Sequence, residues 1–156
     1  KFPVILPHKL LDAEKFNLRF SDASEITETA DKLRWYRYQK GLRQSDVADY
    51  VSIGRDTYIR YEKVGRDYYP KEHMEKLAEL FEVPLEVLLD DYNLFLLRGQ
   101  GAQIKALRMR RGLTQKAYAA QLGVPLQKLK KWEQGKVQIY KSTWAKYFKE
   151  SLENRG

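Results

Sequence analysis

The stretch Lys40–Glu62, KGLRQSDVADYVSIGRDTYIRYE, returns as Arg111–Glu133, RGLTQKAYAAQLGVPLQKLKKWE, without a gap and at an offset of 71 residues. Gly41, Leu42, Gln44, Ala48 and Glu62 fall on Gly112, Leu113, Gln115, Ala119 and Glu133. Self-similarity at a fixed period means that one structural unit is built twice, and it settles the layout of the chain.

Each unit opens with a basic amphipathic helix. The first is expected over about Glu28–Lys40, with Ala30, Leu33, Tyr36 and Arg37 at helical spacing. The second is expected over about Ala102–Arg111, with Ile104, Leu107 and Arg108 in the matching places. Gly41 and Gly112 then end the helix, because glycine accepts the left-handed cap position. A second helix follows at once, capped by Thr114 in the second unit and by the poorer candidate Arg43 in the first. Its buried stripe is Val47, Ala48 and Val51, repeated as Tyr118, Ala119 and Leu122. A tight turn comes next, Ser52-Ile53-Gly54 in one unit and Gly123-Val124-Pro125 in the other. Serine is a departure from glycine there and implies a little strain. A third short helix is expected over Arg55–Tyr61 and Leu126–Trp132.

The first unit continues into helices near Lys71–Phe81 and Leu85–Leu89, the latter started by Pro84. The second continues from Ser142 through Leu152 in one helix and lacks a fifth. The join DDYNLFLLRGQGAQ, Asp90–Gln103, is too apolar for a free linker and is expected to pack, with Gly99-Gln100-Gly101 as a hinge. The expected organisation is therefore a partly ordered arm over 1–27, a first domain over 28–92, a connector over 93–102 and a shortened second domain over 103–156. Because the chain starts with Lys1, residues are expected upstream of it.

Charge is unevenly spread over the 156 residues and their net +8. Residues 28–98 hold 12 Lys/Arg against 14 Asp/Glu, and residues 99–156 hold 13 against 3. Within the first unit, 33–66 is basic (8 against 4) and 67–92 is acidic (2 against 8). A basic front of this kind points to a polyanionic partner. There is no cysteine, hence no disulfide, thiolate metal site or cysteine nucleophile. No apolar run approaches the roughly 20 residues of a membrane span, so a membrane partner is not expected and a cytoplasmic setting is. His8 and His73 have no ligand partners at metal spacing, and Gly99-Gln100-Gly101 is neither preceded by a strand nor followed by GK[ST]. No catalytic residue, metal or cofactor is expected, and the chain reads as a non-enzyme.

The series G-L-x-Q-x-x-x-A, an apolar turn, and a short polar helix ending in aromatic-Glu resembles the Cro and phage-repressor (XRE) helix-turn-helix family. The first unit resembles it over about 30–90 and the second over about 103–150. The resemblance implies an all-α fold of two tandem lambda-repressor-like bundles, each of four to five short helices, in a bacterial or phage-like regulator. It implies that the first residues of the third helix read base edges in the major groove. Those would be Arg55, Asp56, Thr57 and Arg60 in one unit and Leu126, Gln127, Lys128 and Lys131 in the other. It also implies that Gln44 and Gln115 clamp phosphate, where free N–H groups and the positive helix end favour an anion. Arg43, Arg66, Lys116, Lys130, Lys136 and Lys141 are further phosphate candidates.

Two functional readings stand open at this point. In one, both units grip a single asymmetric DNA site, as a monomer or weak homodimer, because one short helix reads few base pairs. In the other, the chain is an interaction or antitoxin-like module. The acidic 67–92 surface or the apolar connector then meets a protein, and only the second unit touches DNA. The loops KVGRDYYP and QGKVQIYK both depart from the family's usual E-x-G-x-x-x-P.

Overall fold

The structure is a computed structural model that describes Phe16 and residues 19–153. The greater part of the arm expected over 1–27, His8 included, lies outside those residues. Among the described residues every regular element is helical. The chain divides into two compact units, residues 1–90 and 91–156.

In the first unit α1 (Thr29–Gln39) turns its Ala30, Leu33 and Arg37 inward. It stops at Gly41, whose φ of 66° lets the Leu42 N–H return to the Arg37 carbonyl at 3.1 Å. Helix α2 (Gln44–Val51) starts without a conventional cap residue. Asp46 supplies the cap instead, accepting from the Arg43 backbone N–H at 2.9 Å and from its guanidinium at 3.1 Å. The expected strain at the turn is present: Ser52 sits in the left-handed region at φ 65°. Helix α3 (Arg55–Tyr61) buries Tyr58 and Tyr61. Then α4 (Lys71–Phe81) buries Met74, Leu77, Ala78 and Phe81, and α5 (Leu85–Leu88) buries Leu88. Two long-range bonds close the bundle: the Asp90 N–H donates to Thr29 Oγ1 and Lys32 Nζ to the Leu89 carbonyl, each at 3.0 Å.

The second unit begins with α6 (Asp91–Leu97), which takes Asp91 and Tyr92 from the end of the expected first domain and 93–97 from the expected connector. Its Tyr92 and Phe95 enter a core with Ile104, Leu107, Tyr118, Leu129, Trp132, Ile139, Trp144 and Phe148. Burying such side chains contributes roughly 1.5–3 kcal/mol each, enough to fix a short helix that would not persist alone. Gly99, at φ 91°, turns the chain into α7 (Gln100–Arg110). Gln100 is buried in its first turn, so the expected hinge is part of a packed helix start. Helix α8 (Gln115–Leu122) is capped by Thr114 Oγ1, which accepts from the Ala117 N–H at 3.1 Å. Helix α9 (Leu126–Gln134) runs to Gly135, and α10 (Lys141–Tyr147) follows the loop. The single helix expected from Ser142 to Leu152 is interrupted at Phe148 (φ −124°, ψ −26°), after which α11 (Lys149–Glu153) begins. Phe148 is fully buried among the core aromatics, and that packing holds it at the break.

Candidate nucleic-acid interface

One polar network recurs in both units. Arg37 makes a forked pair with Glu62, Nε to Oε2 at 2.6 Å and Nη2 to Oε1 at 2.9 Å, and its Nη1 donates to the Leu42 carbonyl at 3.1 Å. Gln44 Nε2 joins at 3.1 Å from Glu62 Oε1. In the second unit Arg108 repeats the fork on Glu133 at 2.9 and 3.1 Å and donates to the Leu113 carbonyl at 3.0 Å. Gln115 Nε2 lies 3.3 Å from Glu133 Oε1. The carboxylates have side-chain exposures of only 4% in both pairs. Burial works against the Arg37 charge, but the hydrogen bond and charge of Glu62 overcome it and hold Arg37 well above the usual arginine value. In chemical terms the network bolts the first helix of each unit to the end of the third. The glutamine brings in the start of the second.

Glu62 and Glu133, at the end of the third helix of each unit, are thus each tied to the arginine of the first. Gln44 and Gln115 each give one N–H to that carboxylate. The other N–H is left to donate, and it is what an outside phosphate would meet, since the amide oxygen can only accept.

Each unit also buries one tyrosine hydroxyl beside this network, at positions that do not correspond. Tyr58 on α3 and Tyr118 on α8 are fully buried, and neither hydroxyl has a hydrogen-bond partner. Burial raises both phenols above their ordinary value. Glu62 pushes Tyr58 further up, while Arg111 pulls Tyr118 down.

The outer faces differ. On α9, Gln127, Lys128 and Lys131 are exposed and Lys130 is half-buried. Leu126 is half-buried and packs toward the core, so only part of it faces outward. Lys116 at the start of α8 and Lys136 on the following loop are exposed, and Lys141 opens α10 half-buried. On α3, Arg55, Asp56 and Arg60 are exposed. Thr57 is half-buried and accepts from Arg60 Nη2 at 3.4 Å. Arg43 is exposed but ion-paired with Asp46, which its hydrogen bond holds below the usual carboxylate range. Arg66 folds over the Tyr61 ring at 4.7 Å and donates to the Tyr68 carbonyl at 2.7 Å. Residues 43–62 carry three arginines against four acids, whereas 114–133 carry four lysines against Glu133 alone.

The loops after α3 and α9 are held by different groups. In the first unit the Tyr69 hydroxyl donates to the Tyr61 carbonyl at 3.1 Å. In the second, Gln100 Nε2 donates to the equivalent Trp132 carbonyl at 3.2 Å and to the Val137 carbonyl at 2.7 Å. Its Oε1 accepts from the Ile139 N–H at 3.0 Å, and the Tyr92 hydroxyl donates to the Ile139 carbonyl. Sequence reasoning placed Gln100 in a hinge and gave neither it nor Tyr92 a hold on this loop. The available signal was a polar side chain between two glycines in an otherwise apolar join. Among the described residues no cluster of His, Asp and Glu could hold a metal ion, and no helix is long and apolar enough to cross a membrane.

The helix-turn-helix domain family matches residues 101–147, which run from the first turn of α7 to the end of α10. The cryptic phage CTXphi transcriptional repressor RstR of Vibrio cholerae is 37% identical to the chain over 62 residues. That stretch covers 40% of this chain and 55% of the relative, so the chain spans about half the length of the curated relative it matches. No solved structure matches the chain.

Proposed function

We propose that the chain is a sequence-specific double-stranded-DNA-binding protein that regulates transcription. The observation that carries this reading is α9. It is a short helix with an outer face of Gln127, Lys128 and Lys131, bolted by Glu133 to Arg108 inside the stretch that matches the helix-turn-helix family. A helix of this size enters a major groove, glutamine pairs with adenine, and lysine reaches guanine or phosphate. Lys116, Lys130, Lys136 and Lys141 then supply backbone grip, with Gln115 at the start of α8. The relative is named as a transcriptional repressor, which supports regulation by occupancy of DNA.

The first unit, in the same reading, is a second helix-turn-helix module that lays α3 on an adjoining, unlike half-site. The recurrence of the Arg–Glu–Gln network at the same offset supports this. Tethering raises the effective concentration of a weak second module, so a modest grip by Arg55 and Arg60 still adds affinity. The charge of 43–62 favours a second reading, in which only residues 91–156 touch DNA and the acidic 67–92 surface faces a protein partner.

Paired charge reversals in the full chain separate the readings, using a duplex selected from random sequence. Lys128→Glu with Lys131→Glu removes specific binding under either. Arg55→Glu with Arg60→Glu weakens it at least tenfold and shortens the footprint only if both units are on DNA. Specific binding that survives the lysine reversals would overturn the assignment of α9.

A further inference from the structure

We infer that Gln100 is a positioning residue for the DNA-backbone grip of the second unit, acting through the loop Gly135–Ile139. This rests on the DNA reading above and extends it to a residue outside the helix-turn-helix match at 101–147.

The loop has little of its own to hold it. It leaves α9 through Gly135 at φ 72°, with the Lys136 N–H returned to the Lys131 carbonyl at 3.0 Å. Beyond that bond Lys136, Val137 and Gln138 are exposed, and Val137 is 46% accessible. Ile139 is the one apolar anchor, buried to 1%. A five-residue loop fixed at a single side chain samples many conformations, and a lysine on it loses that freedom when it binds phosphate.

Gln100 removes the freedom in advance. Gln100 is 8% exposed and its amide spends both ends on this loop and its root: the NH2 donates to the Trp132 and Val137 carbonyls, and the oxygen accepts from the Ile139 N–H. Tyr92 holds the Ile139 carbonyl from the other side. Gly101 completes the seat, since a Cβ there would lie 2.1 Å from the Glu133 carbonyl oxygen. The start of α7 is therefore pressed against the end of α9, where the loop begins. Lys136 leaves this fixed loop between Gly135 and the bonded carbonyl of Val137, so its reach is set before DNA arrives.

The inference is tested by salt-dependent binding of the full chain to a 20-base-pair duplex of random sequence. Non-specific binding of this kind reports phosphates neutralised, with a slope of about −0.9 per contact in log K against log salt. Lys136→Ala should reduce the slope by about 0.9. Gln100→Leu should reduce it by the same amount with its circular dichroism spectrum unchanged, and adding Lys136→Ala to Gln100→Leu should then do nothing further. A residue that merely stabilised the fold would leave the Lys136 effect intact in the double variant. Tyr92→Phe, which keeps the ring and loses the hydroxyl, carries the same test if Gln100→Leu does not fold. An unchanged slope in a folded Gln100→Leu chain, or a full Lys136 effect on top of it, overturns the inference and leaves the DNA reading standing. Failure of the unaltered chain to bind the duplex overturns both.

Discussion

In the first unit the loop after α3 is held by a side chain of its own, Tyr69, on the Tyr61 carbonyl. In the second, the loop after α9 is held from outside by Gln100 and Tyr92, which come from the segment before the matched domain. The two solutions serve the same backbone position, and the contrast shows which part of the repeat is interchangeable. The Arg–Glu–Gln network repeats atom for atom because it fixes how three helices meet. The loop is free to be tied by whatever the neighbouring sequence offers. The second solution makes α6 part of its domain, which is why the join packs rather than swings. Charge follows the same division. Residues 1–90 hold 15 Lys/Arg against 17 Asp/Glu, and 91–156 hold 14 against 4, on frames that share the Arg–Glu–Gln network.

The largest expected effect comes from cutting that shared network in each unit. Glu62→Ala strands the Arg37 guanidinium, whose side chain is 10% exposed, and should cost about 3–5 kcal/mol. Glu133→Ala should cost less, because the Arg108 side chain at 14% is nearer water and can turn out to it. Urea unfolding of the full chain, followed by tryptophan fluorescence, distinguishes the units. Trp35 reports on the first, and Trp132 and Trp144 on the second. Equal losses would mean the two networks are energetically the same despite their different burial.

Helix approach gives the next effect. Ala30 in the first unit and Gly101 in the second hold the same place in the repeat, and Ala30 is buried with room for its methyl group. Gly101→Ala has no such room beside the Glu133 carbonyl, and should cost about 1–3 kcal/mol as α7 and α9 are forced apart. Ala30→Gly should cost only about 1 kcal/mol, the helix-propensity difference. Unfolding midpoints that reverse this order would show that the second unit does not pack more closely there.

The smallest effect is a difference in acid response. Asp46 caps α2 as an ionised group with its pKa lowered, chiefly by the Arg43 hydrogen bond, while Thr114 caps α8 without titrating. A lowered carboxyl stabilises the fold above its unfolded pKa, and that contribution is lost as pH falls through the folded one. The first unit should therefore lose a small increment of stability below the usual carboxylate range that the second keeps. Asp46→Asn should flatten the difference in melting temperature between pH 6 and pH 3. A first unit whose profile is unchanged by Asp46→Asn would show that the cap contributes nothing.

The helices of the repeat were legible because glycine, proline and the apolar stripes mark their ends and faces within a few residues. Arg55–Tyr61 and Lys71–Phe81 begin and end where those marks put them. Glu62 and Glu133 were legible only as helix-end acids tied to a neighbouring arginine or to a backbone N–H, and the structure supplies the arginine. What the local pattern hid depends on contacts between distant residues. Asp91–Leu97 lacks a clear period, and it becomes helical by burying Tyr92 and Phe95 against Trp144, some 50 residues on. Gln100 reads as an incidental polar residue until Val137 and Ile139 are beside it. The break at Phe148 is set by Trp132 and its neighbours, not by a local breaker. Of the candidate reading residues, the exposed faces on α3 and α9 followed from helical spacing, while the half-burial of Leu126 and the pairing of Arg43 with Asp46 did not.

The unmatched tyrosines carry a warning for anyone who would transplant α3 or α9 into the other frame. At two corresponding buried positions, 47/118 and 58/129, the first unit carries Val47 and Tyr58 and the second Tyr118 and Leu129. Grafting α3 onto the second frame would bury a phenol ring at both positions, where that core now holds one. The reverse graft would leave neither position with a ring, in a core that now holds one. An exchange between the units would have to be confined to the outward residues, with the inward ones left as each frame already has them.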